Sequence, residues 1–414
     1  MNLMNNREIF FALSSSRAWI ALLMGFASGL PLLLTLTVLQ AWLTQSDISL
    51  VTVGMIGLVG LPYNFKFLWA PLLDRFYFVT LGRRKSWLLI SQILLSLSIV
   101  FMGMQEPLES LNLIVVSAII ITFFSATQDI VVDAYRRESL KDQEQGIGAM
   151  MYTYGYRLGM LLASGGGLIL ADLYSFSMVY YFMASVMLLT VIVSFIIPEP
   201  EDYGSPTSLK DAFVMPVSDF VERYQGVYPA LLVLFFIVIY KLGDNFASHM
   251  SIPFYLDRGY SNAEIGAVVK VFGLAPLLFG IFIGGIINLR YGLFYSLVLA
   301  GVLQGLSTFG FILIDLFDKN LSILATVISF ENLSGGMGTS CLLAFMALIT
   351  NKQFTATQFA LLSALAALPR VILTAPTGWL VELMDWTPFF MMSGLIAIPG
   401  ILLIFYKRDW INER

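Results

Sequence analysis

FFSATQDIVVDAYRRESL, residues 123–140, is an apolar helix carrying charge where a helix of this hydropathy should carry none. Asp129 and Asp133 stand four residues apart, so a helix places both on one face. Arg136 and Arg137 close the segment. An ionised side chain at bilayer depth costs about 2.5–3.5 kcal/mol on insertion scales, so such groups face a water-filled path or a partner. Working outward, the rest of the chain reads as a scaffold that holds this helix against its neighbours.

The scaffold is a polytopic membrane protein. Of 414 residues, 58% are hydrophobic and 12% charged. A soluble protein carries about twice that charge. A polar start of about seventeen residues runs into an apolar stretch too long for a signal-peptide core. No small-x-small cleavage site precedes it, so the first span is expected to serve as its own insertion signal. One cysteine, Cys341, excludes an internal disulfide framework, and one histidine, His249, argues against a His/Cys metal site. The net charge of −4 is distributed by membrane side and identifies no partner. Nothing in the sequence calls for a metal, a cofactor or a nucleic acid.

Twelve spans of the ~20 residues a bilayer needs fall near 18–41, 51–73, 87–104, 111–135, 146–171, 177–197, 228–251, 262–287, 293–315, 321–349, 355–382 and 386–406. The longest loop, 198–227, divides an N-terminal bundle, 1–197, from a C-terminal bundle, 228–414. Charge gives the orientation. Sixteen Lys and Arg, from Arg7 and Arg17 to Arg408 and Arg414, lie on the side of the termini; only Arg258 and Lys319 lie opposite. Both termini are therefore expected in the cytoplasm. Five cations remain inside spans: Lys66, Arg157, Lys241, Lys270 and Arg370. Arg157, Gly165 and Asp172 in span 5 recur with the same offsets as Arg370, Gly378 and Asp385 in span 11. Parallel six-helix repeats with a site between the halves point to the major facilitator architecture, an all-α fold of two six-helix bundles around a central cavity.

Several residues then carry candidate chemistry. Ala70-Pro-Leu-Leu-Asp74-Arg75 followed by Gly82-Arg83-Arg84-Lys85 reads as a cytoplasmic latch that breaks for the carrier to open inward, or as a plain positive-inside stop signal. Asp129, about 10 Å deep at 1.5 Å per residue, is placed to take up and release a proton, with Arg157 as the cation that balances it. The alternative is a permanent Asp129–Arg157 ion pair. Asp133 is read as a latch partner of Arg75 or Arg83. Gln128 suits a sugar or amide ligand if it faces the cavity. Lys66 meets a substrate carboxylate or snorkels to the interface. Lys241, Asp244 and Asn245 share a face of span 7, as a local pair or as a cavity cluster. Glu331, Asn332 and Arg370 are polar mid-span candidates for the same cavity.

Trp42, Tyr63, Trp69 and Tyr156 are aromatics for sugar stacking or for packing. His249 reads as a satisfied helix-end residue. Gly155, Gly159 and the run Gly165–Gly167 let helices approach. Pro31, Pro62, Pro276, Pro369 and Pro376 are expected at kinks.

The motifs Gly25-Phe-Ala-Ser-Gly-Leu-Pro-Leu32, Leu39-Gln-Ala-Trp42, Phe65-Lys-Phe-Leu-Trp-x-Pro-Leu-x-Asp-Arg75, Gly82-Arg-Arg, Ser125-Ala-Thr-Gln-Asp-Ile-Val-Val-Asp-Ala134 and Gly155-Tyr-Arg-Leu-Gly-Met160 resemble those of AmpG-type muropeptide permeases. That family belongs to the AmpG and acetyl-CoA transporter branch of the major facilitators. The resemblance is dense over residues 25–167. It implies proton-driven import of N-acetylglucosaminyl-1,6-anhydro-N-acetylmuramyl peptides across the bacterial inner membrane for cell-wall recycling. It also places the family's span 4 Gln-Asp pair on Gln128 and Asp129. Leu61-Pro62 departs from the polar pair expected before the aromatic of span 2. A carrier of another organic anion, such as an acyl-CoA, and a non-transporting sensor are the alternatives. An intramembrane enzyme is the least expected reading, because no catalytic constellation and no loop long enough for a soluble catalytic domain are present. A cavity between a chain's own halves makes a monomer the expected form.

Overall fold

The computed structural model describes residues 11–407; Arg7, Arg408 and Arg414 lie outside them. Among the described residues, nine helices are long and apolar enough to cross a membrane. In chain order these are Ser16–Gln45 (span 1), Arg83–Gly103 (span 3), Pro107–Ser139 (span 4), Phe176–Ile196 (span 6), Val227–Asp257 (span 7), Gly266–Tyr291 (span 8), Leu293–Leu316 (span 9), Leu321–Ile349 (span 10) and Trp386–Tyr406 (span 12). Three further crossings, 50–75 (span 2), 145–173 (span 5) and 355–384 (span 11), are assembled from shorter helical pieces. Large side chains such as Leu97, Leu189 and Phe195 point outward from the helices, as a lipid-facing surface requires.

The interruptions have local causes. Span 2 tightens into 3-10 turns at Ile56–Gly60 and Lys66–Leu68, around Gly60, Pro62 and Pro71. A π-turn follows Pro31 at Leu34–Val38, and another spans Pro369–Leu373 before the turn at Pro376. Pro276 follows the π-turn Gly266–Phe272. Every proline singled out thus sits at or beside a break in helical geometry, where the lost N–H costs least.

Glycines set the closest helix contacts. A Cβ on Gly155 would lie 1.8 Å from the Leu22 carbonyl oxygen, and one on Gly159 2.3 Å from that of Phe26. Gly25 and Gly29 answer from span 1, where a Cβ on either would lie 2.1 Å from a backbone oxygen of span 5. Gly280 and Gly336 do the same between spans 8 and 10. The run Gly165–Gly167 behaves differently from expectation. Only Gly167 meets other helices, at Val38 and Val179; Gly165 and Gly166 meet only their own helix, inside a π-turn at Leu162–Gly166.

One apolar core lies among spans 1–6, from Leu30 and Leu34 to Met183 and Met187. Others lie among spans 7–12, around Phe236 and Phe345, and around Phe254 and Phe311. Between the bundles runs a helix, Leu209–Arg223, capped by the Ser208 hydroxyl at Asp211 N. Its buried Ala212, Pro216 and Phe220 fall on one face at i, i+4 and i+8. Gln358 of span 11 donates from Nε2 to the Pro216 carbonyl and to Asp219, both at 2.8 Å.

Candidate functional site: a buried carboxylate, a central cavity and a charged latch

Asp129 lies inside the N-terminal bundle, 6% exposed, among side chains from spans 1, 2, 4 and 5. The 3-10 turn at Lys66–Leu68 turns Lys66 inward, leaving it 8% exposed. Lys66 acts electrostatically on both Asp129 and Asp133. Tyr63 Oη donates to Ser125 Oγ at 2.8 Å, and Trp69 Nε1 donates to Thr127 Oγ1 at 3.0 Å, fixing span 2 against span 4. Gln128 is fully buried, and neither of its amide atoms has a hydrogen-bond partner among the described residues; the same holds for Asp129 Oδ1.

Two expectations change here. Arg157 is not the cation beside Asp129: its charge is felt by Tyr156 and by Arg370, and the cation at the carboxylate is Lys66. The reason is rotational, because Asp129 faces the interior of its own bundle while Arg157 points toward the other. Asp133 pairs with neither Arg75 nor Arg83. Its partner is Arg136, one turn along the same helix, with Nη2 at 3.4 Å from Oδ1.

Arg157 lines a central cavity of about 620 Å³ together with Lys241, Asp244, Asn245, Glu331 and Arg370. The helical break at Lys241, φ −111°, directs its ammonium inward. There it contacts Asp244 at 3.1 Å and donates to Thr339 Oγ1 at 2.9 Å and the Gly335 carbonyl at 3.2 Å. The two readings of Lys241 and Asp244 therefore hold together: they form a local pair, and that pair lines the cavity. Arg157 and Arg370, the matched arginines of the sequence repeat, meet at this cavity from opposite bundles. The residues read as substrate-binding thus split in two. Lys66 and Tyr63 lie beside Asp129, and Gln128 is buried in the same helix one residue before it, while Arg157, Lys241, Asn245, Glu331 and Arg370 line the cavity. Tyr156 bridges them, within electrostatic reach of Asp129, Arg157 and Arg370. Among the aromatics, Trp42 packs on Phe176 and Tyr180. His249 bonds Thr377 Oγ1 at 3.0 Å.

The charged cluster at the cation-rich face is tied across the bundles. Asp74 is fully buried; its Oδ1 accepts from Arg84 Nη2 at 2.8 Å and its Oδ2 from the backbone N and Oγ1 of Thr357, each at 2.8 Å. Ala356 N adds a bond at 3.3 Å. Asp74 of span 2 therefore caps the N-terminus of span 11, where a carboxylate is favoured by the helix dipole. Arg83 donates to the carbonyls of Lys352 at 3.0 Å and Gln353 at 3.1 Å, and to Gly204 of the linker. Arg75 is not part of this cluster; its guanidinium lies 5.8 Å from the Phe76 ring, because the chain leaves helical geometry at Phe76.

Glu138 is the acid that the sequence reading missed. Its Oε1 lies 2.6 Å from Arg84 Nη2 and 2.9 Å from Arg83 Nη2. A glutamate in the last turn of a helix opposes the dipole, and that mismatch with the two arginines before it is the signal that it needs an external cation. Glu199 of the linker was also missed. It accepts from the backbone N of Arg84 at 2.7 Å and of Lys85 at 2.9 Å, capping span 3. Burial lifts its carboxyl above the usual glutamate range.

Comparison with known proteins follows this geometry. Residues 18–374 match the Major Facilitator Superfamily family model. The chain is 44% identical over 96% of its length to the anhydromuropeptide permease of Escherichia coli K12, covering 80% of that protein. It is 32% identical to the "Putative transporter AmpG 4" of Rickettsia conorii, over 94% of this chain and 96% of that one. Among solved structures, the proton:xylose symporter XylE superposes with a TM-score of 0.66 at 11% identity, over 97% of this chain and 96% of that one. The human organic anion transporter MFSD10 gives 0.66 at 16% identity, over 94% and 98%. These two share the fold alone. On the sequence likeness that runs nearly end to end, the chain belongs to the major facilitator superfamily and, within it, to the family of AmpG-type muropeptide permeases.

Proposed function

We propose that the chain imports anhydromuropeptides, N-acetylglucosaminyl-1,6-anhydro-N-acetylmuramyl peptides, from periplasm to cytoplasm across the bacterial inner membrane. The observation that carries this reading is the 44% identity to the E. coli permease along 96% of the chain. The cavity suits such a substrate. It presents both signs of charge, Arg157 and Arg370 for peptide carboxylates, Asp244 and Glu331 for amino groups, and amides such as Asn245 for sugar hydroxyls. An acyl-CoA would ask for a denser field of cations than these provide.

In this reading the bundles 1–197 and 228–414 rock about the cavity, joined by 198–227, within one monomer. The distribution of cations, sixteen against two, supports both termini lying in the cytoplasm. Asp129 takes up a proton when the periplasmic path opens and gives it up when the cytoplasmic latch of Asp74, Arg83, Arg84 and Glu138 parts. Lys66 supplies the positive charge that draws the proton off.

The test is accumulation of the radiolabelled anhydromuramyl tripeptide in proteoliposomes under an inward proton gradient, with an uncoupler control. Uncoupler-sensitive accumulation by wild type, lost in Asp129→Asn while ligand binding persists, is the expected result. Equal accumulation by both proteins refutes the coupling role. No uptake by folded wild type refutes the substrate and makes acyl-CoA counterflow the next assay.

A further inference from the structure

A second cavity, of about 760 Å³, lies away from the central one, at the cation-rich ends of spans 1, 4 and 6 beside the linker. Four cations from four separate elements line it: Arg17 at the start of span 1, Arg136 in span 4, Lys141 in the turn after span 4, and Lys352 before span 11. Two of the three acids on the same wall are engaged elsewhere: Glu138 binds Arg83 and Arg84, and Glu199 caps span 3. Glu201 stays exposed at the rim, accepting from Tyr203 Oη at 3.2 Å.

The cations are less fully matched. Arg136 is 2% exposed, yet its Nε and Nη1 have no hydrogen-bond partner among the described residues. Its guanidinium lies 5.4 Å from the rings of Tyr152 and Phe359 and makes one long contact to Asp133. Arg17 is half exposed and reaches Glu144 only at 3.7 Å. Lys141 is exposed. A buried guanidinium with two of its three nitrogens unmatched is costly and marks a place where an anion belongs.

The other wall is apolar and opens sideways. Leu23 of span 1 is 40% exposed and Ile196 of span 6 is 74% exposed, with Ile20 and Val193 between them. An anion site continuous with a lipid-facing apolar groove matches an amphiphile rather than a free ion.

We propose that this groove binds an anionic phospholipid, with its phosphate among Arg17, Arg136 and Lys141 and an acyl chain along Leu23, Val193 and Ile196. Lys352 of the second bundle, which also donates to Tyr203 Oη at 3.1 Å, lines the same groove, so a headgroup whose glycerol or second oxygen reaches it braces the latch in its closed arrangement.

The experiment is native mass spectrometry of the purified full-length chain in detergent, titrated with phosphatidylglycerol or phosphatidylcholine. A parallel titration adds free glycerol phosphate. The variant is Arg17→Gln with Lys141→Gln, at exposed rim positions, and its thermal transition is recorded as a check on folding. Retention of phosphatidylglycerol over phosphatidylcholine is expected, and removing two cations that face a headgroup should weaken it about thirtyfold. If the double variant does not fold, Lys141→Gln alone should weaken it about fivefold. Equal retention of the two lipids, or undiminished retention by the variant, overturns the proposal. Displacement by glycerol phosphate also overturns it, in favour of a soluble anion.

Discussion

Replacing Asp74 by Asn tests whether one carboxylate holds the two bundles together. Asp74 accepts four hydrogen bonds, one from Arg84 and three from the first residues of span 11. Asparagine keeps one oxygen with two lone pairs and turns a donor toward donors. At least two charge-assisted bonds are lost, at about 1.5 kcal/mol each. Arg84 retains its three bonds to Glu138 at 2.6, 3.0 and 3.1 Å, so its charge stays paired and the bundle itself stays folded. The loss of about 3 kcal/mol therefore falls on the contact between bundles and shifts the closed-to-open ratio about 150-fold. Pulsed electron resonance between spin labels at Lys141 and Arg290 reads this directly. Both positions are exposed, one in each bundle, and the lone native thiol, Cys341, is buried. A longer-distance population should dominate in Asp74→Asn. A distance distribution identical to that of the parent protein refutes the argument, because it leaves the cap carrying no part of the closure.

Two further substitutions follow from the same geometry. Gly155→Ala puts a Cβ 1.8 Å from the Leu22 carbonyl oxygen and should sharply lower the yield of folded protein, whereas Gly165→Ala, whose nearest neighbour is a Leu161 methyl at 3.7 Å, should be tolerated. Equal yields on size-exclusion chromatography contradict the packing account. Glu199 has a folded-state pKa raised by burial, so its contribution to stability is full below the unfolded value and is lost as pH rises through the folded value. Thermal unfolding of wild type relative to Glu199→Gln should therefore become more favourable from about pH 4 upward, and a parallel pH course in the two proteins sinks the assignment.

The sequence by itself determined the crossings and their number, and it supplies the expectation for their orientation. Hydropathy sets where each helix enters and leaves a bilayer, and loop cations set its direction. It also pointed to Asp129, since a carboxylate in an apolar helix needs a reason wherever that helix lies. Span 4 was expected at 111–135 and runs Pro107–Ser139, a helix whose last turn carries the Glu138 that the sequence reading overlooked. Partnership was decided only by the tertiary structure. Periodicity orders residues around one helix but says nothing of the rotation of one helix against the next. Arg157 therefore reached the cavity rather than Asp129, Lys66 took its place through a 3-10 turn, and Asp133 found Arg136 on its own helix. The charged cluster shows the same limit across the longest separation: Asp74 and Thr357 lie on opposite bundles, and only packing brings a span 2 carboxylate to the first turn of span 11.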